Sequence, residues 1–553
     1  MTGGANIARY LDEQAEATPE RIALHVPRAS SGGAMAYDLY TFARLKEECG
    51  RYAHGLRSIG VRKGARVLLM VRPGLEFTAL SFALFKLGAV PVLIDPGMGK
   101  ANLLHCVADA APDTMVAIPL AHAARLMYPR FFKSVKTKVT VGPRVLWGGH
   151  SAAKLREVSN APVPPETMRA DEMAAILFTT GSTGPAKGVV YTHGVFDAQV
   201  RLIRDRYGIT SNDTDLPAFP LFALFSIAMG MSVVIPLLDP TRPAKADPAT
   251  LALQINERRV TITFGSPAIW RNVSRWLVEN KVKLPTLTRV LMAGAPVAPE
   301  IHERLLNHIL PPGAATFTPF GATESLPVAD ISGREVLDET AALSAQGQGT
   351  CVGYPYPEMT VRIISINDGP VETGDESLCL PQGEIGEIVV SGPVVTKEYF
   401  RKPEATRLAK IHDRATGAVW HRMGDAGYFD EKGRLWFCGR KTHRVVTKEG
   451  TLFTIPCEAI FNQHPAVARS ALVGLGDAPD QEPVLIVERD PAGAPKPEIE
   501  LVRELLALGA AHEHTRSIRR VLFHPEFPTD ARHNAKIFRE QLREWAAKSR
   551  ERT

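Results

Sequence analysis

The residues best able to do chemistry are crowded between Phe178 and Gly188, which read Phe-Thr-Thr-Gly-Ser-Thr-Gly-Pro-Ala-Lys-Gly. Gly181 and Gly184 let backbone N–H groups close on an oxyanion. Thr179, Thr180, Ser182 and Thr183 offer hydroxyls, and Lys187 adds a mobile positive charge. Together they make a phosphate-binding loop. The apolar run Met173 to Phe178 before it and Val189-Val190-Tyr191 after it predict strand, loop, strand. A P-loop would need glycine before its lysine and Ser or Thr after it. Ala186 and Gly188 stand there instead, so this phosphate loop is of another kind.

The elements that must hold such a loop follow from the rest of the pattern. β-rich runs alternate with helical ones: Arg66 to Val71 then Glu76 to Lys86, Val90 to Ile94 then Lys100 to Ala111, and Val260 to Phe264 then Pro267 to Glu279. That alternation predicts layered α/β structure. Phe77 to Ile94 reads as an amphipathic helix and a strand, divided by Lys86, Gly88 and Pro91. From Val361 to Val390 alternating strands punctuated by Gly and Pro predict a β-rich, barrel-like subdomain. Past Gly439-Arg440 lies a smaller α/β stretch ending in a basic helical tail, Ile537 to Arg552. The main boundary is therefore placed there, giving domains 1–440 and 441–553.

Composition narrows the classes. The chain of 553 residues has room for several cores, and its formal charge of +6 is small and scattered, which gives no nucleic-acid footprint. Its six cysteines lie far apart with no C-x-x-C pair, against a zinc site or a disulfide framework and in favour of a reducing cytoplasm. Leu221 to Leu238 is uncharged for 18 residues, but Ser226, Gly230, Ser232 and Pro236 interrupt it. It reads as a buried helix leading into a buried strand and not as a membrane span. No targeting or lipidation motif is visible.

Five further motifs stand in order behind the loop: Met292-Ala293-Gly294-Ala295-Pro296, Pro319-Phe320-Gly321-Ala322-Thr323-Glu324, Gly383-Glu384-Ile385-Gly386-Glu387, Met423-Gly424-Asp425 with Gly439-Arg440, and Arg532-His533-Asn534-Ala535-Lys536-Ile537. The series resembles the adenylate-forming superfamily of acyl-CoA synthetases, luciferases and nonribosomal adenylation domains, over nearly the whole chain. Phe82 to Gly88, Asp239 to Ala244, His421 to Asp425 and Arg532 to Lys536 look like the β-lactone synthetase family of bacterial long-chain olefin biosynthesis. In that family a 2-alkyl-3-hydroxyalkanoic acid and ATP give a β-lactone, AMP and pyrophosphate.

The resemblance implies a large N-terminal domain and a small, mobile α/β C-terminal domain. It implies that Thr179 to Lys187 hold the β- and γ-phosphates, and that Gly294, Ala295 and Pro296 with Phe320, Gly321, Ala322 and Thr323 frame adenine and the substrate channel. Glu324 and Thr183 would ligate Mg²⁺; a lone carboxylate suits a hard cation that keeps most of its water. Asp425 would accept the ribose hydroxyls and Arg440 would assist nearby, since an ionised carboxylate takes two O–H donors. Lys536 would reach in from the small domain to bridge carboxylate and α-phosphate. His533 reads as an exposed polar residue. Other enzymes of the olefin pathway, a reductase and a β-lactone decarboxylase, are the implied partners.

Three departures bear on the acceptor. Ala223 stands where acyl-CoA synthetases commonly carry histidine after Pro-Leu-Phe, Thr442 where the hinge is usually Asp or Lys, and Ala535 where glycine usually precedes the catalytic lysine. None forbids adenylation, and a β-branched hinge argues against a full rotation to admit a thiol. A 3-hydroxy acid carries its own acceptor, and tethered attack reaches effective molarities of roughly 10⁵–10⁸ M. Leu221 to Ile235 and Phe264 to Trp270 are candidates for alkyl pockets or for core. A fatty acyl-CoA or acyl-AMP ligase stays open as the alternative. A hydrolase lacks its elbow, because Gly149-His150-Ser151-Ala152-Ala153 misses the last glycine. A dinucleotide enzyme lacks the third glycine after Gly97-Met98-Gly99, and Lys536 and Glu324 argue against a non-catalytic nucleotide binder.

Overall fold

The computed structural model describes residues 4–28, 35–144, 147–178, 186–219, 221–239, 241–374, 376–491, 493, 496–529 and 537–550. The candidates Thr179 to Gly184 and Lys536, together with His533 and Ala535, lie outside them.

The predicted alternation produces a seven-stranded sheet in the order His150–Ser151, Thr137–Thr140, Thr114–Ala117, Arg66–Met70, Val90–Ile94, Met173–Phe178, Gly188–Thr192. All neighbours are parallel except the last two, which form the strand pair on either side of the phosphate loop. A Cβ on Gly188 would come within 2.6 Å of the Phe178 ring, so the strand leaving the loop begins with the residue that permits this approach. Helices fill most of the crossovers, the usual solution for parallel strands. Thr192 caps His193–Tyr207 through Val195 N, and Gly208 ends that helix in the left-handed region.

The Leu75–Lys86 helix differs from the expected amphipathic one. It is buried on every side, Lys86 included. The charge is tolerated because Lys86 Nζ meets both Asp12 carboxylate oxygens at 2.6 Å and the Val163 carbonyl at 3.2 Å.

A second sheet of fourteen strands joins a parallel half to the predicted β-rich subdomain. Strands Ile262–Gly265, Arg289–Met292 and Ala315–Ala322 are parallel. Ala315–Ala322 then turns back into Ser325–Ser332, and pairing continues antiparallel through Thr350–Pro355, Leu435–Arg440 and Val419–Phe429 to Gly386–Ser391. Leu221 to Leu238 resolves as expected into helix Phe222–Ala228 and strand Ser232–Val234. Among the described residues no helix is long and apolar enough to cross a membrane, and all six cysteines are unpaired thiols.

After Arg440 a short turn, Lys441–His443, leads to a three-stranded sheet of Val467–Leu475, Glu482–Arg489 and Arg520–Phe523 with helices Thr454–Phe461, Glu498–Ala510 and Arg539–Arg550. This small unit has apolar clusters of its own on the two sides of its sheet, one built on Leu472, Leu485 and Leu501, the other on Ala471, Ile486 and Leu542.

Candidate active site

The turn in the second sheet is the centre of the site. Thr323 and Glu324 form a two-residue connection between strands Ala315–Ala322 and Ser325–Ser332. Three hydrogen bonds clamp it: Thr396 N and Thr396 Oγ1 each donate to the Glu324 carbonyl at 2.9 Å, and Tyr191 Oη donates to the Thr323 carbonyl at 2.5 Å. Gly321 has no room for a Cβ, which would lie 2.8 Å from the Ser325 carbonyl oxygen. The turn is thus fixed by backbone, which leaves the Glu324 side chain to face a cavity.

Tyr399 Oη donates to Glu324 Oε1 at 2.6 Å. Burial and, after it, the Glu324 charge push the phenol above its ordinary value, so it stays a donor. Lys187 Nζ stands 5.0 Å over the Tyr399 ring. Behind Tyr399, the buried Lys410 donates to Thr396 Oγ1 at 3.3 Å. Burial pulls its ammonium down to about 7, a fall that Glu324 partly offsets. His421, opposite Lys410 in the strand register, places Nδ1 3.2 Å from the Ala409 carbonyl, so that nitrogen carries the proton and Nε2 is the acceptor. Burial first, then the Lys410 charge, hold this imidazole well below its ordinary value and therefore neutral.

On the facing strands Arg440 Nη1 reaches Asp425 Oδ1 and the Met423 carbonyl, each at 2.9 Å. The two residues are cross-strand partners, and Gly424, at φ +68°, bends the chain before Asp425. Glu387, fully buried, accepts from Arg422 Nη2 at 2.6 Å and stands 3.0 Å from Lys441 Nζ.

Most of these groups, Lys410, Thr396 and Asp425 excepted, border one cavity of about 600 Å³. Lys187, Glu324, His421 and Arg440 occupy one part of its wall, and a train of rings occupies another. Phe264 stacks on Phe222 at 3.6 Å, Phe222 meets Phe225 at 5.7 Å, Phe225 meets Phe196 at 5.8 Å and Phe196 meets Phe85 at 5.9 Å. Of the two apolar segments weighed as pockets, Leu221 to Ala228 and Phe264 to Ile269 contribute lining, whereas Val233, Val234 and Trp270 are core. Ala223 is buried in that core, between Phe222 and Leu224, which line the cavity.

The structure brings Lys187, Gly294, Gly321, Ala322, Thr323, Glu324 and Arg440 together on this wall. Asp425 joins them through Arg440. Phe320 is not on the wall: successive residues of a strand face opposite sides, and with Pro319 and Gly321 toward the cavity Phe320 packs 6.2 Å from Phe437. Ala295 and Pro296 follow the lining residue Gly294 and are not on the wall either. Thr442 borders the cavity at the start of the small unit. Tyr399, Lys410 and Lys441 were not singled out from sequence, and Glu387, His421 and Arg422 stood inside recognised motifs without a role of their own. Only Lys410, a charge between Ala409 and Ile411, carried a local signal.

Mg²⁺ fits Glu324 as a shared ligand. Oε1 already takes the phenol, the other oxygen has further lone pairs, and among the described residues no group of three His, Cys, Asp or Glu side chains could enclose a metal. Such a site suits a cation that keeps most of its water and is completed by phosphate oxygens.

A wall of charged and small residues, joined to an apolar bay on this two-sheet scaffold, is that of an adenylate-forming enzyme. The chain belongs to the AMP-binding enzyme family, whose model matches residues 11–400. It is 46% identical to the olefin β-lactone synthetase of Xanthomonas campestris pv. campestris over 100% of this chain and 99% of that one, and 46% identical to the olefin β-lactone synthetase of Stenotrophomonas maltophilia over 99% of each. In fold it is similar to ATP-bound MatB from Rhodopseudomonas palustris (TM-score 0.78, 23% identity, 98% of this chain and 99% of that one). It is also similar to the amide bond synthetase McbA of Marinactinospora thermotolerans (TM-score 0.76, 23% identity, 98% and 100%).

Proposed function

We propose that this chain is an ATP- and Mg²⁺-dependent β-lactone synthetase acting on 2-alkyl-3-hydroxyalkanoic acids. The substrate carboxylate attacks the α-phosphorus of ATP and pyrophosphate leaves. The substrate's own 3-hydroxyl then attacks the activated carbonyl, its proton departs, and AMP leaves as the four-membered ring closes. The observation that carries this reading is the single cavity joining Lys187, Glu324 and Arg440 to the Phe264–Phe222–Phe225–Phe196 bay. One end suits phosphates; the other excludes water and suits two alkyl chains.

In this reading Thr179 to Lys187 grip the triphosphate, Asp425 and Arg440 take the ribose side, and Gly294 with Gly321 to Thr323 lies along the adenine and acyl path. Mg²⁺, shared by Glu324 and Thr183, would neutralise charge on the departing pyrophosphate. Lys536 approaches from a C-terminal domain that we divide from the rest at 440/441. The six free thiols fit a cytoplasmic enzyme, and the pathway's reductase and β-lactone decarboxylase are the partners it would meet.

The test is incubation of a 2-alkyl-3-hydroxy acid with ATP and Mg²⁺ in the absence of any thiol. AMP release with a β-lactone carbonyl band in the infrared is the expected result. Turnover only after coenzyme A is added would make the chain an acyl-CoA ligase instead.

A further inference from the structure

A second cavity, of about 530 Å³, lies behind the wall formed by Tyr399, which borders both. Its charged lining is mostly cationic: Arg401, Lys402, Arg407 and Arg414, joined by the titratable Lys410 and His412, against Glu372 and Glu398. Some of that charge is already engaged. Lys402 pairs with Asp109 at 2.9 Å, and Arg407 with Glu372 at 3.2 Å and Glu404 at 3.3 Å. Arg401 and Arg414 have no ion-pair partner among the described residues, and Arg401 lies 5.0 Å over the Phe400 ring at a left-handed backbone position, φ +54°. Lys410, only 2% exposed, borders this cavity, and its Nζ donates to Thr396 Oγ1.

The position of this cavity gives the charge a use. Residues 398–400 run alongside the strand that leaves the phosphate loop: Val190 N donates to the Glu398 carbonyl at 3.2 Å and Phe400 N to the Gly188 carbonyl at 2.7 Å. Tyr399 therefore has Lys187 and Glu324 on its cavity side and Lys410 and Arg401 behind it. We propose that this second cavity is a binding site for inorganic pyrophosphate, receiving the product of adenylation on its way out of the catalytic cavity. The proposal rests on the adenylation reading for the origin of its ligand, but not for its binding. A small, multiply charged phosphoanhydride matches a concave basic site that concentrates anions, and release of such a product sets the turnover of many enzymes.

The experiment is calorimetric titration of the full chain with magnesium pyrophosphate, without ATP or acid. The wild-type chain is expected to bind two equivalents, Lys187→Ala one, and the Arg401→Asn/Arg414→Ser double variant one. Asparagine is chosen because it tolerates the left-handed backbone. Losing two charge-assisted contacts is expected to weaken the second site at least about tenfold. Two unchanged equivalents in the double variant overturn the proposal. So does displacement of the second equivalent by an equal concentration of sulfate, the behaviour of an ordinary basic surface. Because nothing turns over, a chain inactive in the lactone assay still reports on this site, and one that makes lactone can still fail here.

Discussion

Glu324 and Glu387 border the same cavity in opposite company. Glu387 is fully buried between Arg422 and Lys441, with Arg422 Nη2 at 2.6 Å and Nε at 3.2 Å from its carboxylate. Arg422 is held in turn by the Gly369 carbonyl at 2.6 Å and the Leu408 carbonyl at 3.1 Å. Glu324 is half-buried, and its carboxylate takes one described hydrogen bond, from the neutral phenol of Tyr399. A carboxylate surrounded by cations has no capacity left for a ligand, so Glu387 is structural. One steadied by a neutral donor keeps its charge for whatever enters, which supports the ligand role we propose for Glu324. Arg440 stands between these cases: it lines the cavity, and Asp425 Oδ1 answers its charge at 2.9 Å from Nη1.

The largest effect expected is on stability, from Glu387→Gln. The buried Arg422 and the part-buried Lys441 would lose their counter-charge, and breaking such a group typically costs about 3–5 kcal/mol. The denaturant midpoint should fall accordingly. A midpoint equal to that of the wild-type chain would mean that water or backbone carries the charge of Arg422 and Lys441. Glu324→Gln should do the reverse: the midpoint should hold, because Tyr399 can donate to an amide oxygen, while ATP–pyrophosphate exchange falls roughly 10²–10³-fold. If the two variants lose stability equally, the distinction between them collapses.

Lys410 tests the comparison from the cationic side, being a buried charge without a close carboxylate. Its ammonium titrates at about 7 in the folded chain, against about 10.4 when unfolded. Below pH 7 both states carry the proton and the folded state bears the full cost of burying it. From about pH 7 to 10.4 only the unfolded chain holds it, so native stability rises with pH across that window. Lys410→Met should therefore stabilise the chain at pH 6, by on the order of a few kcal/mol, with the gain fading as pH rises through the window. A gain independent of pH would show that packing, and not charge burial, is responsible.

Much of this architecture is legible locally. The pattern places Val90–Ile94 and Pro267–Glu279 at their observed bounds, because apolar runs and a Ser-Pro helix start are properties of adjacent residues. Glu324 is legible through the family resemblance, which rests in part on the Pro319–Glu324 motif. Its partners are not: Tyr399 lies 75 residues away and its bond exists only once two antiparallel segments meet. Nor does one sequence tell which side of its strand Phe320 takes, since the register shifts between Phe320 and Ala322. Lys86 misleads for the same reason. A lysine in an apolar helix reads as the exposed edge, and only the fold supplies Asp12.

The smallest effect is expected from Tyr399→Phe, and it asks whether Glu324 depends on the phenol or on the turn beneath it. The turn is held by Thr396 and Tyr191 through backbone carbonyls, and a phenyl ring at 399 leaves those bonds intact. What disappears is the one O–H···O bond at 2.6 Å that orients the carboxylate. A hydrogen bond to a charged group contributes about 1.5–3 kcal/mol. Because the freed oxygen regains solvent, only the lower end should appear, as an exchange rate about tenfold slower. Raising Mg²⁺ should recover part of that loss by capturing the freed carboxylate, and should recover none of the loss in Glu324→Gln. Equal behaviour of the two variants under a Mg²⁺ series would place the metal-facing group elsewhere.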